Sequence, residues 1–252
     1  MKKLIIGFAI LATLGVVIRA GFQRPVQVPP PAAETSRFSR RTILHIGLLP
    51  ALQKYLMQTV GRTPLMTTSA LVWGTGRITI EIAGMDFSLP IAWSEAIDIH
   101  RGYAWQAHVM WWGFRLASLI DSPESREFPY NRYMHVRAKM AWLPSTLVSD
   151  VDWEPLGSQS AMMHFREKHA PRDTLLAVFS PRTHALASLS GRIRKADSLT
   201  WNHWRVRFTE WGNPGGLTIP VAGTARAGGR FLYSYRISGM AYNIPLDEWF
   251  SE

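Results

Sequence analysis

The sequence predicts a mainly β (α+β) domain: a strongly curved antiparallel sheet or half-barrel with one N-terminal packing helix, preceded by a transmembrane helix. Three observations predict it. Apolar residues recur with a period of two from Ser69 onward, one stretch just before has helical spacing, and an uncharged run lies near the amino terminus. The chain has 252 residues, 47% of them hydrophobic, which is ample for a packed core. Charged residues make up 18%, below the roughly 25% of soluble domains, so the chain is not of the disordered, solvating kind. Cysteine is absent, which excludes a disulfide framework, a zinc–thiolate centre, an iron–sulfur cluster and a catalytic thiol.

The first element is the run Leu4 to Ile18, fifteen residues without charge, between Lys2-Lys3 and Arg19. As a helix it covers about 22 Å, short of the ~30 Å hydrocarbon core, and snorkelling by Lys3 and Arg19 extends it. Ala20 fits the last position before a signal-peptidase cut, but Ile18 fills the third-last position badly, so residues 1–22 read as a retained signal-anchor. Residues 23–41 form a basic linker, with four prolines between Gln23 and Ala33 that favour an extended chain of roughly 3 Å per residue. The expected location is the bacterial inner membrane, single-pass, with residues 42–252 as a β-rich domain in the periplasm.

Charge supports that division. The net charge of +10 suggests nucleic acid, yet residues 1–41 hold seven basic side chains and one acid. The remaining 211 residues carry twenty-one basic and seventeen acidic groups, which leaves only +4 and no basic run that tracks phosphates. The expected partners are therefore the membrane and envelope proteins, not nucleic acid.

Between Ile46 and Val60, Leu48, Leu49, Leu52, Tyr55, Leu56 and Val60 follow helical spacing, and Gly61 marks the stop. Strands follow. Ile78, Ile80 and Ile82 alternate with Arg77, Thr79 and Glu81; Trp204, Val206 and Phe208 alternate with Arg205 and Arg207; Phe231, Tyr233, Tyr235 and Ile237 alternate with Leu232, Ser234, Arg236 and Ser238. Asn213 to Gly216 and Ala227 to Gly229 read as turns, and Gly74-Thr75-Gly76 also reads as a turn. Tyr103 to Ile120 carries bulk on both faces and reads as a strand covered twice, by a core on one side and a helix or ligand cavity on the other.

Catalytic signatures are missing. None of the eight histidines has the spacing of a metal-binding motif, and GxSxG, GxGxxG and the phosphate-binding loop are absent, so no metal and no cofactor are expected. Asp86 with Glu95, or Asp150 with Asp152 and Glu154, can supply acid/base carboxylates, although carboxylates in turns and at strand ends are usually solvated. The eleven tryptophans are the most informative feature. They fill a core, or they line a cavity or bilayer-facing rim that takes an apolar ligand.

Three stretches in order resemble a bacterial family of uncharacterised, membrane-anchored proteins, a domain of unknown function. They are Tyr103-Ala-Trp-Gln-Ala-His to Asp121; Arg132-Tyr-Met with Ala141-Trp-Leu-Pro-Ser-Thr-Leu147 and Val151-Asp-Trp-Glu154; and Gly216-Leu-Thr-Ile-Pro220 with Tyr233 to Asn243. The resemblance covers about residues 46–243. It departs from the family pattern at Ser122-Pro-Glu-Ser125 and at Lys139, where an acidic residue is common. More distantly, helix and strand run are similar to the half-barrels of the LolA/LolB-like lipid carriers, which implies a curved sheet holding acyl chains. The expected function is a membrane-anchored, non-catalytic module that binds a lipid or other apolar ligand. Trp105, Trp111, Trp204 and Tyr235 are expected to face the ligand, with Trp142 and Pro144 organising a turn. An envelope structural or assembly protein with a filled aromatic core is the alternative, and an unrecognised hydrolase the third reading.

Overall fold

The computed structural model describes residues 50–60, 67–98, 101–112, 114–121, 137–165, 174–194 and 201–250. The expected signal-anchor (1–22) and linker (23–41) lie outside the described residues. Among the described residues no helix is long and apolar enough to cross a membrane.

Helix α1 (Pro50–Val60) starts with a proline, whose missing N–H costs nothing in a first turn. Leu52, Tyr55 and Leu56, at i, i+3 and i+4, are fully buried on one face. Each such side chain contributes about 1.5–3 kcal/mol on burial.

Among the described residues eleven antiparallel strands form one sheet. The first four are β1 (Ser69–Ile82), β2 (Met85–Asp98), β3 (Gly102–Trp111) and β4 (Phe114–Asp121). After a helical crossing come β5 (Val151–Gly157), β6 (Ser160–Phe165), β7 (Thr174–Phe179), β8 (Leu186–Arg194), β9 (Trp201–Gly212), β10 (Ile219–Ala227) and β11 (Arg230–Tyr242). The order is β4-β3-β2-β1-β11-β10-β9-β8-β7-β6-β5: two meanders joined where β1 pairs β11. The sheet is open, with β4 and β5 at its edges. The link from β4 to β5 must pass from one edge to the other, and its described part lies over the sheet. Residues 137–139 are helical, Met140–Trp142 make a 3-10 turn and α2 (Thr146–Ser149) follows. This second helical piece, additional to the single helix expected, is buried from Met140 to Val148.

The register places Ile91, Trp93, Glu95 and Ile97 of β2, Tyr233, Tyr235 and Ile237 of β11, and Trp204, Val206 and Phe208 of β9 on one face. The helical pieces cover that face: Tyr55 of α1 packs 5.7 Å from the rings of both Phe179 and Trp211. The sheet curls around them. Five strand-to-strand steps separate β3 from β9, about 24 Å in a flat sheet, yet side chains of both wall one cavity.

Glycines permit the bend. Gly74 and Gly76, expected to form a turn, lie inside β1 and face β11, where a β-carbon would overlap the carbonyl oxygens of Arg236 and Ser234. The β1–β11 ladder also shifts register between Trp73 and Gly74, a bulge that sharpens the local twist. The opposite face carries a smaller cluster, Leu71, Ala96, Ile244 and Leu246, beside α3 (Asp247–Phe250).

A further correction concerns Tyr103 to Ile120. It is a hairpin, not one strand: Trp111 pairs with Phe114, and Trp112 sits in the turn with φ 51°. Nor is β3 covered twice, since Gln106, His108 and Met110 are only half-buried on the outer face. Bulky residues on both sides of the turn conceal it from a reading by periodicity.

Candidate ligand cavity

Alternation along β2 makes the floor of the site. Ile91, Trp93 and Glu95 project from one face, so a carboxylate stands in an otherwise apolar row, and its side chain is only 3% exposed. β3 adds Tyr103 and Trp105, β11 adds Tyr233 and Tyr235, and β9 adds Val206 and Phe208. The crossing segment roofs them with Ala138, Lys139 and Trp142. Between them is a cavity of about 240 Å³, far beyond the voids that close-packed interiors leave.

The aromatic wall is a mutually supporting set. The Trp93 and Trp142 indoles stack with centroids 6.1 Å apart and an interplanar angle of 14°, and the Tyr235 ring meets Trp142 edge-on at 5.2 Å. Trp142 donates its indole N–H to the Pro220 carbonyl at 3.1 Å, and its own carbonyl accepts from the Tyr242 hydroxyl at 3.0 Å. That pins the roof to β10 and β11. The buried Tyr235 hydroxyl, beside the indole whose N–H is already engaged, has no hydrogen-bond partner. Its ring leans over β10: a β-carbon on Gly223 would lie 2.8 Å from Tyr235 Cε1.

One ion pair interrupts the apolar wall. Lys139 Nζ bonds Glu95 Oε1 and lies 4.2 Å above the centroid of the Tyr103 ring. Burial pushes the Tyr235 phenol well above its usual range, with a smaller push from Tyr233. Burial likewise raises Tyr233, and the Glu95 carboxylate adds to the effect. The cavity is therefore apolar and aromatic over most of its wall, with one fixed dipole. Among the described residues no group of three His, Asp or Glu side chains comes together to hold a metal ion.

Trp105 and Tyr235 line this cavity. Trp204 does not; it is 1% exposed, in register with Ala227 and Gly191 inside the core. Trp111 ends β3, and its side chain lies outside the described residues. Trp142 does belong to a turn, as expected, but its ring also forms the cavity roof. Of the carboxylates considered as acid/base pairs only Glu95 lines the cavity: Asp86 is bonded by Arg230, Glu154 by His164, and Asp150 accepts from Ser149 at 2.7 Å. Sequence reasoning missed the Glu95–Lys139 pair, although an acid in phase with Ile91, Trp93 and Ile97 was a readable signal.

The arrangement is that of an open antiparallel sheet curled around an aromatic cavity. The chain belongs to DUF6544, a family of unknown function, which is matched over residues 99–233. Its fold is similar to that of a LolA superfamily protein of Nitrosomonas europaea, at 9% identity, 80% coverage of this chain and 96% of that one, with a TM-score of 0.39. A domain of Vibrio parahaemolyticus described as an outer membrane lipoprotein-sorting protein is similar at 8% identity, 79% and 94% coverage and a TM-score of 0.40. A DUF1329 family protein of Desulfovibrio piger is similar at 10% identity, 74% and 90% coverage and a TM-score of 0.36. No curated protein matches the chain in sequence.

Proposed function

We propose that this protein is a non-catalytic carrier or sensor that holds an amphiphilic, lipid-like molecule in the aromatic cavity. The observation that carries the reading is the cavity wall: apolar and aromatic side chains around about 240 Å³, with one buried ion pair at Glu95 and Lys139. An acyl or other apolar chain fits against Ile78, Ile91, Val206 and Phe208. The ligand's polar group fits beside Lys139 and the Tyr235 hydroxyl, which stand on the described wall. Trp105 and Tyr235 act as contact residues, and Trp204, in the core, is proposed to support them. The uncharged run Leu4 to Ile18 supports attachment to the inner membrane with the domain in the periplasm.

The test is to purify the full chain in mild detergent and analyse an organic extract of the folded protein by mass spectrometry. One amphiphile per chain is expected, and Ile78→Trp, which fills the cavity from β1, is expected to remove it while the chain stays folded. A folded wild-type protein that extracts empty, and whose tryptophan emission is unmoved by added fatty acid or phospholipid, rejects the reading in favour of a filled structural core.

A further inference from the structure

Six large hydrophobic side chains are exposed among the described residues, and five of them stand at one end of the sheet. Ile82 (54% exposed) and Met85 (56%) flank the β1–β2 turn, Phe87 (37%) follows, Trp112 (86%) sits in the β3–β4 turn and Phe114 (70%) starts β4. The register makes these two turns neighbours: Ile91 pairs with Val109, so the β3–β4 turn lies beside the start of β2. The sixth, Leu156, is at the opposite end, next to the β5–β6 turn.

This apolar lip continues the cavity. On β1 the row Ile78, Ile80, Ile82 runs from cavity wall to exposed tip, and on β2 the row Ile91, Leu89, Phe87, Met85 does the same. The outer part of each row is bare because the two hairpins project past the helical cover. Charge around the lip is net positive. Arg230 bonds both carboxylates of the β1–β2 hairpin, Glu81 and Asp86, and offsets one of their two charges. Arg77, Arg115, Arg205 and Arg226 add positive charge on the same strand ends. Arg205 lies directly opposite Arg226 across β9 and β10, a like-charge pairing that disfavours the sheet itself.

We propose that this end of the sheet is a bilayer-docking lip, in which Ile82, Met85, Phe87, Trp112 and Phe114 enter the interface of an anionic membrane and the surrounding arginines meet its headgroups. Docked in this way, the cavity opens toward the hydrocarbon along the Ile78–Ile82 and Ile91–Met85 rows. The docking does not depend on whether the cavity is filled.

Because the chain has no cysteine, single cysteines report one place at a time. Full-length Met85→Cys, Trp112→Cys and Leu156→Cys proteins carry an environment-sensitive nitrobenzoxadiazole label in vesicles of phosphatidylcholine with phosphatidylglycerol, with and without doxyl-lipid quenchers. Labels at 85 and 112 are expected to brighten several-fold and to be quenched, less so in phosphatidylcholine alone, while the label at 156 stays water-like. Adding Phe114→Glu to the Trp112→Cys protein is expected to abolish the change without loss of thermal stability. Labels at 85 and 112 as unquenched as that at 156 overturn the proposal. So does brightening that follows protein concentration and not lipid, which makes the lip a contact between copies of the chain.

Discussion

Glu95 is the side chain on which the chemistry of the cavity turns, because it places a carboxylate where its strand neighbours are apolar. Its partner Lys139 comes from a distant segment, so the pair ties roof to floor. Lys139→Met removes the cation beside a buried carboxylate and is expected to cost about 3 kcal/mol, while Glu95→Leu with Lys139→Met recovers most of that loss. Urea unfolding measures both, and a loss below about 1 kcal/mol for the single change would place the pair among weak surface ion pairs. The tyrosines give a second prediction. Burial raises the phenols of Tyr55, Tyr233, Tyr235 and Tyr242. A phenol raised in the folded chain keeps its proton there after the unfolded chain has lost it, so its contribution is complete below pH 10 and falls as the pH rises further. Phenolate absorbance is expected to leave these four of the seven tyrosines un-ionised until the chain unfolds in alkali. Trp105 and Tyr235 lie on the cavity wall and Trp204 in the core, a difference that strand parity does not carry, because parity distinguishes faces and not whether a helix or a void lies above a residue.

At the scale of elements, turn chemistry and glycine placement decide the geometry. Gly228 and Gly229 both have positive φ, 55° and 85°, and close the β10–β11 hairpin in the way a two-residue turn needs. The β1–β2 turn uses Ala83 at φ 52° before Gly84 at φ 78°, a conformation that strains a residue with a β-carbon. Ala83→Asn creates the favoured Asn-Gly pair and is expected to stabilise the protein by about 0.5–1 kcal/mol in a thermal or urea titration. Gly76→Ala acts the other way: its β-carbon meets the Ser234 carbonyl, backbone that cannot step aside, and the expected cost is about 2 kcal/mol or more. Unchanged stability for Gly76→Ala would show that the seam relaxes and that the bend needs no glycine there. Period-two spacing exposed β1, β9 and β11 in advance, and doublets of glycine marked the turns on either side of β10. The glycines of β1 were misread because a glycine that admits a neighbouring strand looks, in a sequence, like one that turns the chain.

For the whole molecule, the antiparallel, mainly β class was readable from the many alternating runs and the scarcity of helical spacing. The pairing of β1 with β11 was not, because nothing local relates Ala70 to Tyr242. Nor was the place of the cavity, which exists only where the crossing segment spans the curled sheet without filling it. A ligand held there stabilises the folded state by mass action, by about 2.7 kcal/mol at one hundred times its dissociation constant. Thermal unfolding of the full chain is therefore expected to shift upward with an added single-chain amphiphile, and Ile78→Trp is expected to remove the shift while leaving the unliganded transition in place. The position of β11 has a consequence for how the protein is made. It is the most C-terminal strand, yet it lies in the interior of the sheet and joins the two meanders. During synthesis the hairpins of each meander can close locally and early, but the seam between them must wait until β11 emerges. Until then both aromatic faces and two strand edges are exposed together. The chain is therefore most aggregation-prone just before β11 closes the seam, which makes its yield depend on how well those surfaces are shielded until then.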